Sequence, residues 1–248
     1  MKTSYPDLVL AHLARQLECN RAVMDTIRDQ LSEIVSGGGY LLAAGSGHSA
    51  IFAMELYHRA GGPSFVLPVA DMASLPLFGP ARARAAERTP EALLPALARM
   101  SPRAGEMIWI NSQSGINPAI VELALESRRQ GLKTVAFTSL AHSHSSKSRH
   151  ASGKRLFEVS DHVVDLGGVI GDALVPVAGA PRQVSVGPFS TLSAVFLAHV
   201  ILSEATSSLE QRGIPCVYTS VNTPDGETRN RELELLAAIR DPRLIETE

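Results

Sequence analysis

Two turns rich in glycine and hydroxyl groups each follow an apolar run of the kind that forms a buried strand. The first turn is Gly45-Ser46-Gly47-His48-Ser49, and the second runs from Ser112-Gln113-Ser114-Gly115 to Asn117 and Pro118. A helix that begins directly after such a turn offers free backbone amides and the positive end of its dipole to an anion. One capping residue would suffice at the second turn, where four polar residues are present. The turns therefore predict that uncharged donors hold a phosphate-bearing ligand.

Further hydroxyl groups end a third apolar run or open a late helix. Thr138-Ser139 follows the run at 134–137, and Ser190-Thr191 follows Gly187-Pro188. The carboxyl ends of parallel strands meet at one edge of a sheet, and ligands bind there beside the switch in strand order. We therefore add these four residues to the candidates for ligand binding. Ser190 and Thr191 have helix capping as an equal alternative.

Two side chains near the first turn have the chemistry for proton transfer. His48 carries an imidazole, which can serve as an acid or a base, and Glu55 lies seven positions later, two turns along a helix predicted over 49–60. Both would therefore share one helix face, with Glu55 as general base and His48 as sugar ligand, acid or base. Glu55 and Arg59 are also spaced for an exposed i, i+4 ion pair, and His48 for a capping residue that faces water. The sequence leaves these alternatives open.

The segment at 142–150 contains three histidines, one lysine and one arginine. Because no cysteine or nearby carboxylate completes a ligand set, we predict neither a metal nor another cofactor. One interpretation is a mobile lid over an anion, with Lys147, Arg149 or Lys154 adding charge, and the other is a solvated loop. His199 shares a helix face with apolar residues, which indicates a place in the core or in a subunit interface.

The elements that position these residues follow from the spacing of the apolar residues. This spacing predicts helices at 7–36, 49–60, 118–130, 188–211 and 227–239 and strands at 40–44, 65–67, 107–110, 134–137 and 162–165. Short apolar strands that alternate with helices indicate an α/β fold with a doubly wound parallel sheet between helical layers. The segments 70–88 and 167–187 give no clear pattern. We expect one domain, with an N-terminal helix at 7–36, a sheet core at 40–212 and an extension at 213–248.

Composition limits the class of protein. The formal net charge of 248 residues is −2, which argues against a nucleic-acid partner. Cys19 and Cys216 lack the paired spacing of a disulfide framework or a zinc site. The N-terminus lacks the apolar core of a signal peptide, and no apolar run is long enough to cross a bilayer. The sequence therefore predicts a cytoplasmic protein without a membrane partner.

Together, the two glycine-rich turns and Thr138-Ser139 resemble the sugar isomerase (SIS) domain. The segments 55–62, 143–154 and 186–191 are also similar to single-domain SIS proteins of the UPF0309 type, and the resemblance extends to Asn222. It implies five parallel strands in flavodoxin-like order, three α/β/α layers, an added N-terminal helix and a phosphorylated sugar as ligand. It also implies phosphate binding by Ser112, Gln113 and Ser114. Asp172, in a similar Gly-Asp-Ala sequence, is a candidate for hydrogen bonds to sugar hydroxyls.

The resemblance favours an isomerase that interconverts aldose and ketose phosphates, or amino-sugar phosphates, through an enediol. Two other functions stay open: removal of a sugar substituent by elimination or hydrolysis, and phosphosugar sensing without catalysis. SIS domains usually pair through helices, and the first helix carries more apolar surface than a small sheet needs to cover. We therefore expect a homodimer or homotetramer in which the neighbour completes part of the site.

Overall fold

The computed structural model describes residues 4–245, and a parallel sheet of five strands forms its centre. The strands are β1 (Leu41–Gly45), β2 (Val66–Val69), β3 (Met107–Asn111), β4 (Lys133–Thr138) and β5 (His162–Asp165). Their order is β2-β1-β3-β4-β5, which confirms the predicted doubly wound sheet with flavodoxin-like strand order. Every residue of β1 and β3 is buried, because helices cover both faces of a sheet of this kind.

Helices form a layer on each face of the sheet. Within residues 4–245 the α-helices are α1 (Tyr5–Ser36), α2 (Ile51–Leu56), α3 (Pro80–Glu87), α4 (Leu94–Arg99), α5 (Pro118–Arg129), α6 (Leu140–His144), α7 (Ser190–Gln211) and α8 (Gly226–Ala237). One apolar core joins α1, α2 and α7 to the sheet, and a second core joins α4 and α5 to its other face. The three α/β/α layers and the added N-terminal helix are thus confirmed.

Trp109 lies at the centre of the first core. Its side chain is fully buried in β3, and its ring centroid is 5.1 Å from that of Phe137 in the adjacent strand. The indole Nε1 donates a hydrogen bond to the sulfur of Met107 at 3.1 Å. A large ring in the middle of the central strand needs covering helices, and α1 and α7 supply them.

Helix α7 is the one helix in the described part of the chain that is long and apolar enough to span a bilayer. Half of its most apolar stretch is buried in this fold. The residues that point toward α1 and the sheet include Ala194, Leu197, Ala198, Ile201 and Leu202, all of which are buried. This burial is typical of a core helix and argues against a membrane span.

The sequence predicts a helix at 49–60, and both of its predicted boundaries are wrong. Gly47–Ala50 forms a 3₁₀ turn, α2 covers only Ile51–Leu56, and Tyr57 is extended. His58 follows with a φ of 42°, so it does not share the helix of Glu55. The chain leaves the helix here because the backbones of Gly61 and Gly62 pair with that of Tyr218.

The two segments without a sequence pattern contain short elements. Two 3₁₀ turns precede α3 in the first segment. The second contains a hairpin of β6 (Ala173–Pro176) and β7 (Ser185–Pro188). Tyr5 in α1 donates a hydrogen bond to the carbonyl of Pro188 at 2.5 Å, which fixes the hairpin against the first helix. The strands were not recognisable because most of their residues are polar, small or exposed.

The C-terminal extension is anchored by a buried ion pair. Arg240 Nη1 lies 2.7 Å from Glu106 Oε1, and both side chains are 3% exposed. Arg240 also donates to the carbonyls of Met100 and Ser101. The Glu106 carboxylate accepts the backbone amides of Tyr40 and Arg103 in addition. The pair therefore joins the segment after α8 to the starts of β1 and β3.

We expect Arg240→Met to lower the free energy of unfolding by about 3–5 kcal/mol, because it leaves the Glu106 carboxylate buried without its counter-ion. Urea unfolding measures this change. Arg229→Met is the matched control, since Arg229 pairs with Glu210 at the surface with 46% of its side chain exposed. Its expected cost is about 0–1 kcal/mol. Equal costs for the two variants would contradict the anchoring role of Arg240.

Candidate functional site

A crevice of about 290 Å³ opens at the carboxyl ends of β1 and β3, where the strand order reverses. Gly45 and Asn111 are register partners, so the two turns that follow them start at the same level. The crevice is lined by Ser46, His48, Ser49, Glu87, Ser112, Gln113, Ser114, Asn117, Ile120, His142, Gly171, Asp172 and Ser190. Eight of these are predicted site residues. The lining does not include the other five, which are Gly47, Glu55, Thr138, Ser139 and Thr191.

The second turn is shaped around Gly115. Its φ is 63°, and a Cβ there would lie 2.8 Å from the Thr138 hydroxyl, so only glycine fits without strain. The Gly115 amide donates to Ser112 Oγ at 3.2 Å, which leaves the Ser112 hydroxyl hydrogen for another acceptor. Ser114 lines the crevice, and its hydroxyl makes no hydrogen bond to any residue among 4–245. Two hydroxyl donors are thus available to a ligand.

Thr138 and Ser139, at the end of β4, hold this turn in position through hydrogen bonds to its backbone. The Thr138 hydroxyl and the Ser139 amide both donate to the carbonyl of Gln113, at 3.4 Å and 3.1 Å. Ser139 Oγ accepts the amide of His142 and so caps α6. Both residues are fully buried. These hydrogen bonds hold Gln113 in position, and the direct contact with a ligand that the sequence suggests for Thr138 and Ser139 stays a prediction.

Buried polar atoms without partners are concentrated at this crevice. Among residues 4–245, nine buried side-chain atoms lack a hydrogen bond, and six of them belong to the end of β3, the two turns or α6. These six are Ser46 Oγ, Asn111 Oδ1, Gln113 Nε2 and Oε1, His142 Nδ1 and Ser143 Oγ. An unpaired buried polar group costs stability, and such groups are rare unless a ligand or ordered water satisfies them. Their concentration makes this part of the fold the candidate binding site.

The N-terminus of α5 faces the crevice without a side-chain cap. Asn117 occupies the capping position, but its side chain makes no capping hydrogen bond. Its Oδ1 instead accepts a hydrogen bond from Arg149 Nη1 at 2.9 Å. Pro118 at the first helical position has no amide hydrogen, so the helix presents the amides of the next residues and its positive dipole end. This end of α5 is open to an anion.

The N-terminus of α7 is already filled. One carboxylate oxygen of Asp172 accepts the amides of Phe189 and Ser190, and the other accepts the Ser190 hydroxyl at 2.8 Å. Asp172 has a φ of 68°, which turns its carboxylate onto the helix end. Ser190 therefore lines the crevice with its hydroxyl already engaged. Asp172 caps a helix, where the sequence suggests hydrogen bonds to a sugar.

Glu87 enters the crevice from the end of α3, and sequence reasoning missed it. Its carboxylate makes no hydrogen bond within residues 4–245, and it lies so close to Gly47 that a Cβ there would collide with it. Burial raises the pKa of Glu87, and the positive charges of Arg149, Arg88, His48 and Arg84 oppose this rise. The only sequence signal was an acidic residue in an arginine-rich segment of no clear periodicity.

The carboxylate of Glu55 is occupied elsewhere on the surface. It forms an ion pair with Arg59 and lies 3.3 Å from His199 Nε2 on α7. Burial and the nearby Arg59 charge lower the pKa of His199. The i, i+4 ion pair that the sequence offered as an alternative is therefore present. His48 lines the crevice, whereas Glu55 is not among its lining residues.

The basic segment at 142–150 borders the crevice. His142 lines it directly, and Arg149 reaches Asn117 at its edge. The backbone holds the segment in place, because the amide of Arg149 donates to Ile116 and that of Leu156 to Gly115. Among the described residues, no group of three or more His, Cys, Asp or Glu side chains has the arrangement of a metal site. Lys147 and Lys154 do not line the crevice.

The sequence matches a known domain family over more than half of the chain. The family model described as the SIS domain matches residues 4–139, which is more than half of the chain. A UPF0309 protein of Geobacillus thermodenitrificans is 35% identical over 222 residues, which cover 87% of this chain and 86% of that protein. A UPF0309 protein of Halalkalibacterium halodurans is 35% identical over 205 residues, covering 82% and 84%. The chain therefore belongs to the SIS-domain family and, within it, to the UPF0309 proteins.

A solved phosphoheptose isomerase of Francisella tularensis is similar to this chain with a TM-score of 0.49 and 13% sequence identity. The similarity covers 84% of this chain and 95% of that one.

We expect Glu87→Gln to raise the free energy of unfolding at pH 7. A carboxyl group whose pKa is higher in the folded state favours folding when protonated and opposes it when ionised. The gain from the variant should therefore shrink as the pH falls through the raised pKa toward the unfolded value of about 4.3. Urea unfolding at several pH values measures it. The exposed Glu91 provides the control Glu91→Gln, and a gain that is the same at every pH would contradict the assignment.

Proposed function

We propose that the crevice binds a phosphorylated sugar and that the N-terminus of α5 holds the phosphate group. The observation that carries this proposal is the uncapped end of α5 beside free hydroxyl groups and unpaired buried atoms. Helix amides and the dipole favour an anion at such a place. The α7 N-terminus provides a comparison within the same chain, because an Asp172 carboxylate already occupies it. Membership of the SIS family supports a sugar as the rest of the ligand.

The phosphate would be held mainly by neutral donors. Ser114 and Ser112 offer hydroxyl hydrogens, α5 offers backbone amides, and Arg149 adds one positive charge at the edge. Ser46 and Ser49 line the adjacent turn, so they support the same ligand from the β1 side. Removal of water from neutral donors costs less free energy than removal of water from a cluster of buried charges.

The reaction that we propose is isomerisation of a sugar phosphate through an enediol. A carboxylate removes a proton from the carbon beside the carbonyl group, and the resulting carboxyl group returns it to the neighbouring carbon. Within residues 4–245, Glu87 is the carboxylate in the crevice that makes no hydrogen bond, and its raised pKa makes it a stronger base than an exposed carboxylate. His48 lies on the same lining and would move the proton of the hydroxyl group or open the sugar ring.

That Glu55 is the base stays a prediction. Its position favours a role in the crevice of a neighbouring copy rather than in that of its own chain. It lies outside the crevice of its own chain, beside the exposed apolar side chains of Ile51, Met54 and Leu192 on α2 and α7. An exposed apolar surface of this kind suits contact with a second copy in the expected homodimer or homotetramer. Glu55 would act as base only if such contact brought it to a crevice of the neighbour.

We expect Ser114→Ala to weaken the binding of sugar monophosphates by about 10- to 100-fold, the loss expected for one hydrogen bond to a charged group. Isothermal titration calorimetry with hexose and heptose monophosphates measures this change. Stability should change little, because the Ser114 hydroxyl has no partner within residues 4–245. Ser203→Ala, in the exposed part of α7, is the matched control. Unchanged affinity in the Ser114 variant would exclude this turn as the phosphate site.

We expect the protein to exchange the proton at the carbon beside the carbonyl group of its substrate with solvent deuterium. NMR spectroscopy of a panel of sugar phosphates in D₂O detects this exchange before the physiological substrate is known. Glu87→Gln should abolish exchange and keep most of the affinity, because it removes the base and not the phosphate donors.

Glu55→Gln is the comparison that separates the two carboxylates, and retained exchange in this variant is expected. If instead Glu55→Gln abolishes exchange and Glu87→Gln does not, the base is Glu55. A sugar phosphate that binds without exchange in the unmodified protein would favour a sensor. Exchange accompanied by loss of a substituent would favour elimination.

A further inference from the structure

A second cavity lies at the amino edge of the sheet, on the side opposite the crevice. Its volume is about 370 Å³, within the range of roughly 300–1,000 Å³ for small-molecule sites. Residues just before β1, β2 and β3 form one side, and α8 and the segment after it form the other. We call this cavity the amino-edge groove. Its lining is mainly apolar and includes Val35, Phe65, Ile214, Leu233, Leu236 and Ile239.

The groove leaves apolar side chains open to water. Leu236 is 61% exposed and Ile239 is 76% exposed, although both line the cavity. Neighbouring lining residues, among them Phe65 and Leu233, are 4% exposed. A ligand with an apolar body could cover Leu236 and Ile239 and pack beside the buried lining residues. Removal of this apolar surface from water would favour binding.

The charges of the groove do not balance. Arg240 lines it, but the Glu106 carboxylate neutralises this arginine at 2.7 Å. Arg103 also lines the groove, and within residues 4–245 its guanidinium forms no ion pair. Its charge lies close enough to Tyr40 to oppose the rise that burial causes in the pKa of that phenol. One positive charge therefore stands without a counter-ion beside an apolar surface.

We propose that the amino-edge groove binds a small amphipathic monocarboxylate, with the apolar body against Leu236 and Ile239 and the carboxylate beside Arg103. A neutral apolar molecule would leave the charge of Arg103 unpaired. A phosphate dianion would need several further hydrogen-bond donors beside the guanidinium, and the mainly apolar lining of the groove supplies few. A cation would be repelled by Arg103. This proposal does not depend on the function of the crevice, which lies at the other edge of the sheet.

Titration calorimetry of the full chain with hexanoate, octanoate and octanol tests the proposal. Each added methylene group should tighten binding by up to about fourfold, because each is worth roughly 0.8 kcal/mol when buried. Arg103→Gln should weaken octanoate binding by roughly two- to fivefold, the range for an exposed ion pair, and leave octanol binding unchanged.

Leu236→Ser and Leu235→Ser form a matched pair, because both leucines are exposed neighbours on α8 and only Leu236 lines the groove. Octanoate should bind about tenfold more weakly to the Leu236 variant and normally to the Leu235 variant. Equal effects in the two variants, no dependence on chain length, or displacement of octanoate by a sugar phosphate would overturn the proposal. So would a dimer, seen by light scattering, that Leu236→Ser dissociates, since a second copy would then occupy the groove.

Discussion

The open N-terminus of α5 is tied to one contact, the hydrogen bond that Arg149 donates to Asn117. Asparagine at a helix N-cap normally turns its side chain back onto the helix amides and closes them. Here Arg149 holds the Asn117 side chain, so the start of α5 stays open where the two turns meet. The parallel register of β1 and β3 brings the turns to the same level. Backbone groups rather than charged side chains then define where an anion can lie.

The electrostatics of this crevice are a balance between a positive helix end and nearby carboxylates. The Asp172 carboxylate accepts hydrogen bonds from the amides at the start of α7, so its negative charge is already compensated by a structural contact. Glu87 has no such partner, and it sits half-buried among arginine and histidine charges. A phosphate dianion bound at α5 would oppose ionisation of Glu87 further. Ligand binding in the proposed site would therefore be coupled to proton uptake by Glu87.

The sequence predicted the sheet and both turns because their signals are local. Apolar runs that end in glycine and serine specify a strand followed by a turn, and neither needs a distant partner. The pairing of His48 with Glu55 failed for a local reason as well. The spacing of seven residues assumes a continuous α-helix, whereas Gly47–Ala50 is a 3₁₀ turn with three residues per turn. The phase between the two residues is therefore different from the predicted one.

Glu87 could not be found in this way because its role arises only from the tertiary fold. Its helix is short and polar, and nearly forty residues separate it from the first turn in sequence. Asp172 shows the opposite case, since the sequence suggested a ligand group and its carboxylate also caps α7 through hydrogen bonds that the sequence did not predict. In both cases hydrogen bonds between distant segments decide whether a carboxylate is free. A single sequence carries no pattern for such bonds.

Trp109 gives the protein a built-in optical reporter. It is the one tryptophan of the chain, and it is fully buried in β3 two residues before Asn111 and the second turn. Its indole contacts the Met107 sulfur and packs near Phe137. Emission from this residue should respond to loosening of the central strand without interference from any other indole. The same fluorescence signal can thus follow unfolding in every variant that keeps Trp109.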